Sequence, residues 1–111
     1  MQVKSKFPVN KPFYEVRHIK DFKDLIDQSA KLFANRPAYK LRNKDKTYYE
    51  ITHGQFCDDV YSLANSLLKD NYNRAHIAVV GANSYNWSVT YLAVTCSDNI
   101  IVPIDKELTA D

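Results

Sequence analysis

The stretch from His76 to Ile104 constrains this chain more than any other. His76 to Val80 and Asn99 to Ile104 are short apolar runs with the length of buried strands. Between them Trp87, Tyr91, Leu92, Val94 and Thr95 recur at helical spacing, Gly81 closes the first run, and Asn83 or Ser84 is placed to cap the helix. Strand, helix and strand within about 30 residues make a βαβ unit. The right-handed crossover rule turns the two strands into parallel neighbours with the helix on one face. Parallel strands are stable with both faces covered and several neighbours, so a single pair predicts more sheet beyond Asp111. The same open edge predicts self-association.

The rest of the chain is also mixed α and β. Met1 to Arg17 is Lys-rich and broken by Pro8 and Pro12, so it reads as an extended arm that packs through Phe7, Phe13 and Tyr14. From Asp21, the residues Phe22, Leu25, Ile26, Leu32 and Phe33 form one apolar stripe that predicts a helix ending near Asn35. Ala38–Arg42 and Thr47–Ile51 alternate in polarity and predict a hairpin whose turn is Asn43–Lys46, with Tyr39 and Leu41 on one face and Lys40 and Arg42 on the other. Thr52 with Gln55 forms a capping box for a second helix carrying Phe56, Val60, Leu63, Ala64, Leu67 and Leu68 to about Asp70. Asn71 and Asn73 tolerate the left-handed backbone needed to leave it.

At 111 residues only one domain fits, and a net charge of +2 is too small to mark a nucleic-acid surface. The first residues lack a secretion signal's apolar block, no apolar run approaches a membrane span, and Cys57 and Cys96 are too few for a disulfide framework. These features predict a cytoplasmic protein with no transmembrane segment. Only 2 glycines are present, so a glycine-rich phosphate loop inside this chain starts at a deficit. Gly81 followed by Ala82, Asn83 and Ser84 has one of the glycines a dinucleotide fingerprint needs and reads as a turn.

Several constellations carry both a functional and a plain structural reading. His53 and Cys57, four apart, suit zinc by type, but no third ligand follows by spacing, so a cap-adjacent histidine and a packed thiol are favoured. Cys96 lacks a basic partner and reads as inert. Lys40, Arg42, Lys44 and Lys46 beside Tyr39, Tyr48 and Tyr49 resemble a stacking platform for single-stranded nucleic acid, yet Asp45 and Glu50 sit among them and favour a solvated strand face with inward tyrosines. Asp58 and Asp59 read as a solvated helix face, and Trp87 and Tyr91 as core residues. The residues therefore nominate no catalytic, cofactor-binding or metal-binding side chain.

The segment HIAVVGANSYNWSVTYLAVTCSDNIIVPIDKEL, His76 to Leu108, resembles the early part of the adenylate-forming superfamily, the acyl-CoA synthetases and their relatives. Asn83, Trp87, Leu92, Ala93, Val102, Pro103 and Asp105 match its pattern, with Ile104 replacing a leucine. Upstream, Arg36-Pro37-Ala38-Tyr39 resembles the family's first strand, and Ile51-Thr52-His53-Gly54-Gln55-Phe56 its strand-to-helix step. Glycines of the family are replaced within Asn71–Arg74 and Ser97–Asn99, where Asn and Asp are the best substitutes. Pro103–Leu108 looks most like the long-chain fatty-acid CoA ligases.

The resemblance implies an α/β fold in which hairpin and βαβ unit open the large domain of an adenylate-forming enzyme. Residues 1–17 would be a leading arm and 18–111 a partial subdomain. It implies ATP, magnesium, coenzyme A and a carboxylic acid as the parent's cofactors and partners, with no nucleic acid. The family's phosphate loop, ribose-binding acid and mobile lysine have no counterpart among residues 1–111, so this chain by itself is expected not to catalyse. Two other readings are a free-standing interaction module that pairs through its open sheet edge and a weak single-stranded nucleic-acid binder.

Overall fold

The computed structural model describes Tyr14 to Leu108, and the expected packing of Phe7 and Phe13 lies outside the described residues. Side-chain caps set where each helix begins. Asp21 is extended and its carboxylate accepts from the Asp24 amide at 2.8 Å, opening α1 (Phe22–Phe33). Thr52 Oγ1 accepts from the Gln55 amide at 3.2 Å and opens α2 (His53–Lys69). Ser84 Oγ accepts from the Trp87 amide at 3.2 Å and opens α3 (Tyr85–Cys96), so Ser84 and not Asn83 is the cap. Each cap satisfies one of the amides a helix start leaves without an intrahelical partner. The expected capping box is half formed, because the Gln55 side chain donates to Asp59 at 2.8 Å instead of turning back to Thr52.

Between the helices run β1 (Pro37–Arg42), β2 (Tyr48–Thr52), β3 (His76–Val80) and β4 (Ile100–Ile104). The described residues thus form a mixed α/β arrangement of three helices and two two-stranded sheets. β1 and β2 are antiparallel, with Lys40 opposite Glu50 and Arg42 opposite Tyr48. Their turn closes through Lys46 N to Asn43 O at 3.1 Å, with Lys46 at φ 72°. The hairpin is tied back to the end of α1 where His53 N donates to Arg36 O and Gly54 N to Ala34 O, both at 3.0 Å. A Cβ on Gly54 would stand 3.2 Å from that Ala34 oxygen, so glycine permits the close approach.

The main core lies among the helices, where Ile26, Phe56, Val60, Ala64, Val89 and Ala93 are buried together. Tyr39 of β1 joins it edge-on, its ring 5.1 Å from those of both Phe56 and Tyr85. The stripe expected on α1 is narrower than its spacing suggested: Ile26 is buried, whereas Phe22 and Leu32 are about half exposed. Among the described residues α1 packs mainly on α2 and α3, which cover a single strip of it. Helix α3 departs the other way. It lies between α1 and α2 on one side and β3 and β4 on the other, and its fully buried residues are Val89, Ala93 and Val94. Trp87 and Tyr91, expected in the core, stack on each other 5.3 Å apart while half-buried.

β3 and β4 pair in parallel from His76 beside Ile100 to Val80 beside Ile104. Val79 is buried, while Val80 and Ile100 are 62% and 46% exposed, so the described residues leave one face of this pair uncovered. Asn99 does not continue the strand. It is buried, its Nδ2 donates to Ser97 Oγ at 2.9 Å and to Tyr72 O at 3.2 Å, and its Oδ1 accepts from Ala75 N at 3.0 Å. The clamp joins the two loops leading into the parallel strands. Both loops need left-handed residues, and Asn71 (φ 64°), Arg74 (φ 52°) and Asp98 (φ 58°) supply them. Asn71 and Asp98 answer the expectation of Asn and Asp standing in for glycine. Asn73 does not adopt that conformation and Arg74 does.

Candidate functional site

In open α/β sheets ligands settle outside the carboxyl ends of the strands. Here β3 ends at Val80 and β4 at Ile104 on the same edge, because the two run parallel in register. Gly81 turns the chain away with φ 153°, a region that favours glycine, and a Cβ there would meet nothing within 4 Å. Across from it, Asp105 Oδ1 accepts from the Glu107 amide at 2.9 Å and shapes the exit from β4. Between the two turns lies an open cleft of about 400 Å³ lined by Gly81, Ala82, Asn83, Trp87 and the segment Pro103–Lys106.

The cleft can position a ligand but lacks an acid–base pair. Its single carboxylate, Asp105, is already engaged, and Lys106 leans toward Glu107 at 3.4 Å in an exposed pair that contributes little. One carboxylate and one ammonium do not fit a site for magnesium and a polyphosphate, which needs convergent oxygen ligands and backbone amides. Among the described residues no three His, Cys, Asp or Glu side chains come together as a metal site.

The candidate residues of the sequence are dispersed. The His53 ring rests 5.9 Å from that of Phe33, and Cys57 packs against the helical core, where burial pushes its thiol pKa up. Burial does the same to Cys96, which makes both thiols poor nucleophiles. On the hairpin, Lys40 lies 5.3 Å over the Tyr48 ring and directly across from Glu50. Tyr39 points inward, but Tyr48 and Tyr49 are about half exposed, which corrects the expectation of inward tyrosines. Adjacent Tyr48 and Tyr49 point to opposite faces of the strand, so they cannot both turn inward.

Asp59 also departs from the sequence reading. It accepts from the Tyr85 hydroxyl at 2.6 Å, and burial together with this bond holds the Tyr85 phenol well above its ordinary range. A second tyrosine–aspartate pair went unseen in the sequence. The Tyr61 hydroxyl donates to Asp27, which also accepts from Lys23 at 2.9 Å. Those two bonds hold the Asp27 carboxyl below the usual carboxylate range, and the Asp27 bond raises Lys23. Only the meeting of α1 with α2 creates it, since the partners stand 34 residues apart.

A cleft at the carboxyl edge of a strand–helix–strand unit is where open α/β sheets place their ligands. Residues 26–111 match the family model described as AMP-binding enzyme, and the chain belongs to that family. It is 30% identical over 87 residues to a D-alanine--D-alanyl carrier protein ligase of Streptococcus pyogenes serotype M3 (strain SSI-1), covering 78% of this chain and 16% of the relative. The corresponding ligases of serotype M28 (strain MGAS6180) and serotype M5 (strain Manfredo) are 29% identical with the same coverage. The chain therefore spans 16% of the length of these curated relatives. No described helix is long and apolar enough to cross a membrane.

Proposed function

We propose that this chain is the amino-terminal portion of an acyl-adenylate-forming enzyme, with residues 18–111 opening its large domain and 1–17 leading into it. The observation that carries this reading is the family match across residues 26–111, supported by the cleft that Asn83, Trp87 and Asp105 of the family-like pattern share. For the whole protein the proposed reaction is activation of a carboxylic acid with ATP and magnesium, followed by acyl transfer to a thiol. The chain's own residues act as framework. The parallel pair sets a carboxyl edge, Ser84 and Gly81 orient the start of α3, and Asn99 fixes the loops behind it.

The finer reading, a fatty acid and coenzyme A in the cytoplasm, rests on Pro103–Leu108. The relatives' names favour D-alanine and a D-alanyl carrier protein as the competing acid and acceptor. A second function class, a stand-alone interaction module that pairs through its open sheet edge, is favoured by the two-stranded β3–β4 sheet. ATP–pyrophosphate exchange on the protein encoded by the complete reading frame, with palmitate and D-alanine in parallel, tests all of these. Exchange by that protein, none by the 111-residue chain, supports the proposal; activity of the 111-residue chain alone refutes it, and an encoded protein that activates neither acid refutes both finer readings.

A further inference from the structure

Away from the carboxyl edge, a second recess of about 320 Å³ opens between α1, β1 and α2. Ile26, Phe56 and Leu92 give it an apolar wall, and Ser29, Tyr39 and His53 are the residues of its lining that carry polar groups. All its lining residues are buried or half-buried, unlike the exposed turns around the first cleft. Its aromatic walls are held from behind. The Tyr39 ring is wedged edge-on between Phe56 and Tyr85, 5.1 Å from each, and the His53 ring lies 5.9 Å from Phe33.

The volume is roughly twice the ~150 Å³ cavity that accommodates a benzene ring, so one substituted ring fits. The lining carries no carboxylate, ammonium or guanidinium group. An ionised ligand would lose its hydration there without a counter-charge, whereas a neutral one with a single hydroxyl exchanges a water hydrogen bond for a protein one. We propose that this recess binds a small uncharged aromatic molecule bearing a hydroxyl group. Its ring lies against Ile26, Phe56 and Leu92, and its hydroxyl is bonded by Ser29 or His53.

Phenol titrated into the 111-residue chain, followed by carbon-13 methyl NMR, tests the site independently of the enzymatic reading. Saturable shifts at the Ile26 and Leu92 methyls are expected, with benzoate binding far more weakly. Ser29→Ala should leave the fold intact and weaken phenol by about fivefold if it makes the hydrogen bond, one neutral hydrogen bond's worth; an unchanged Ser29→Ala assigns the bond to His53 if His53→Phe weakens phenol, and weakening by neither variant overturns the proposed hydroxyl recognition. Leu92→Phe, or Ala38→Leu as an independent way to fill the space, should abolish saturation. Linear shifts without saturation, benzoate binding as tightly as phenol, saturation on β3 and β4 instead, or filled variants that bind like the original would each overturn the assignment.

Discussion

Asn99 offers the sharpest test of how the parallel pair is held. Its side chain makes bonds to Ser97 Oγ, Ser97 O, Tyr72 O and Ala75 N at 2.9 to 3.2 Å while only 7% exposed. Asn99→Ala removes these together and leaves the half-buried Ala75 amide without its acceptor. Several bonds at about 1 kcal/mol each, plus the desolvation cost of the abandoned groups, sum to about 2 to 4 kcal/mol. Asn99→Asp discriminates the mechanism. A carboxylate still accepts from Ala75 but faces the Tyr72 and Ser97 carbonyls, so burial and repulsion raise its folded pKa above the unfolded value. With an acid whose folded pKa is raised, stability is lowest above that pKa and recovers as pH falls through it, when the protonated form donates again. Urea melts followed by Trp87 fluorescence, from pH 7 to 4, read both effects. A loss under 0.5 kcal/mol for Asn99→Ala, or an Asn99→Asp loss that does not lessen on acidification, refutes the clamp.

Gly81→Ala meets no side chain, so its cost is purely backbone: about 1 to 3 kcal/mol by thermal melting, with the Trp87 environment preserved. Arg74→Gly should relieve a left-handed residue and stabilise by up to about 1 kcal/mol, less the unfolded-state entropy, whereas Asn71→Gly should change stability less because Asn tolerates φ 64°. Asp27, held below its ordinary pKa by Tyr61 and Lys23, contributes stability that is present above the unfolded carboxylate pKa and lost as pH falls through the lower folded value. Tyr61→Phe should therefore make the acid limb of a stability–pH profile shallower below about pH 4, and an unchanged limb would count against the bond.

The order of elements was legible because its signals are local. Thr52 before a run with Phe56, Val60 and Ala64, the alternation at Tyr39 and Leu41, and the apolar run His76–Val80 each express hydrogen bonds or side-chain repeats that span only a few residues. The family pattern around Asn83, Trp87 and Pro103 was legible for the same reason, being contiguous in the chain.

What tertiary structure alone decided concerns which surfaces meet. Periodicity showed that Phe22, Ile26 and Leu32 share a side of α1, but only the placement of α2 and α3 selected Ile26 for burial. Trp87 and Tyr91 satisfied the same spacing as core residues and lie half-buried, because α3 presents smaller Val89 and Ala93 to its neighbours. Tyr85 reaches Asp59 across 26 residues and Ala75 reaches Asn99 across 24, pairings for which no local rule leaves a trace. Short-range energetics chooses helix or strand; contacts between distant segments depend on packing geometry that no window of the chain contains.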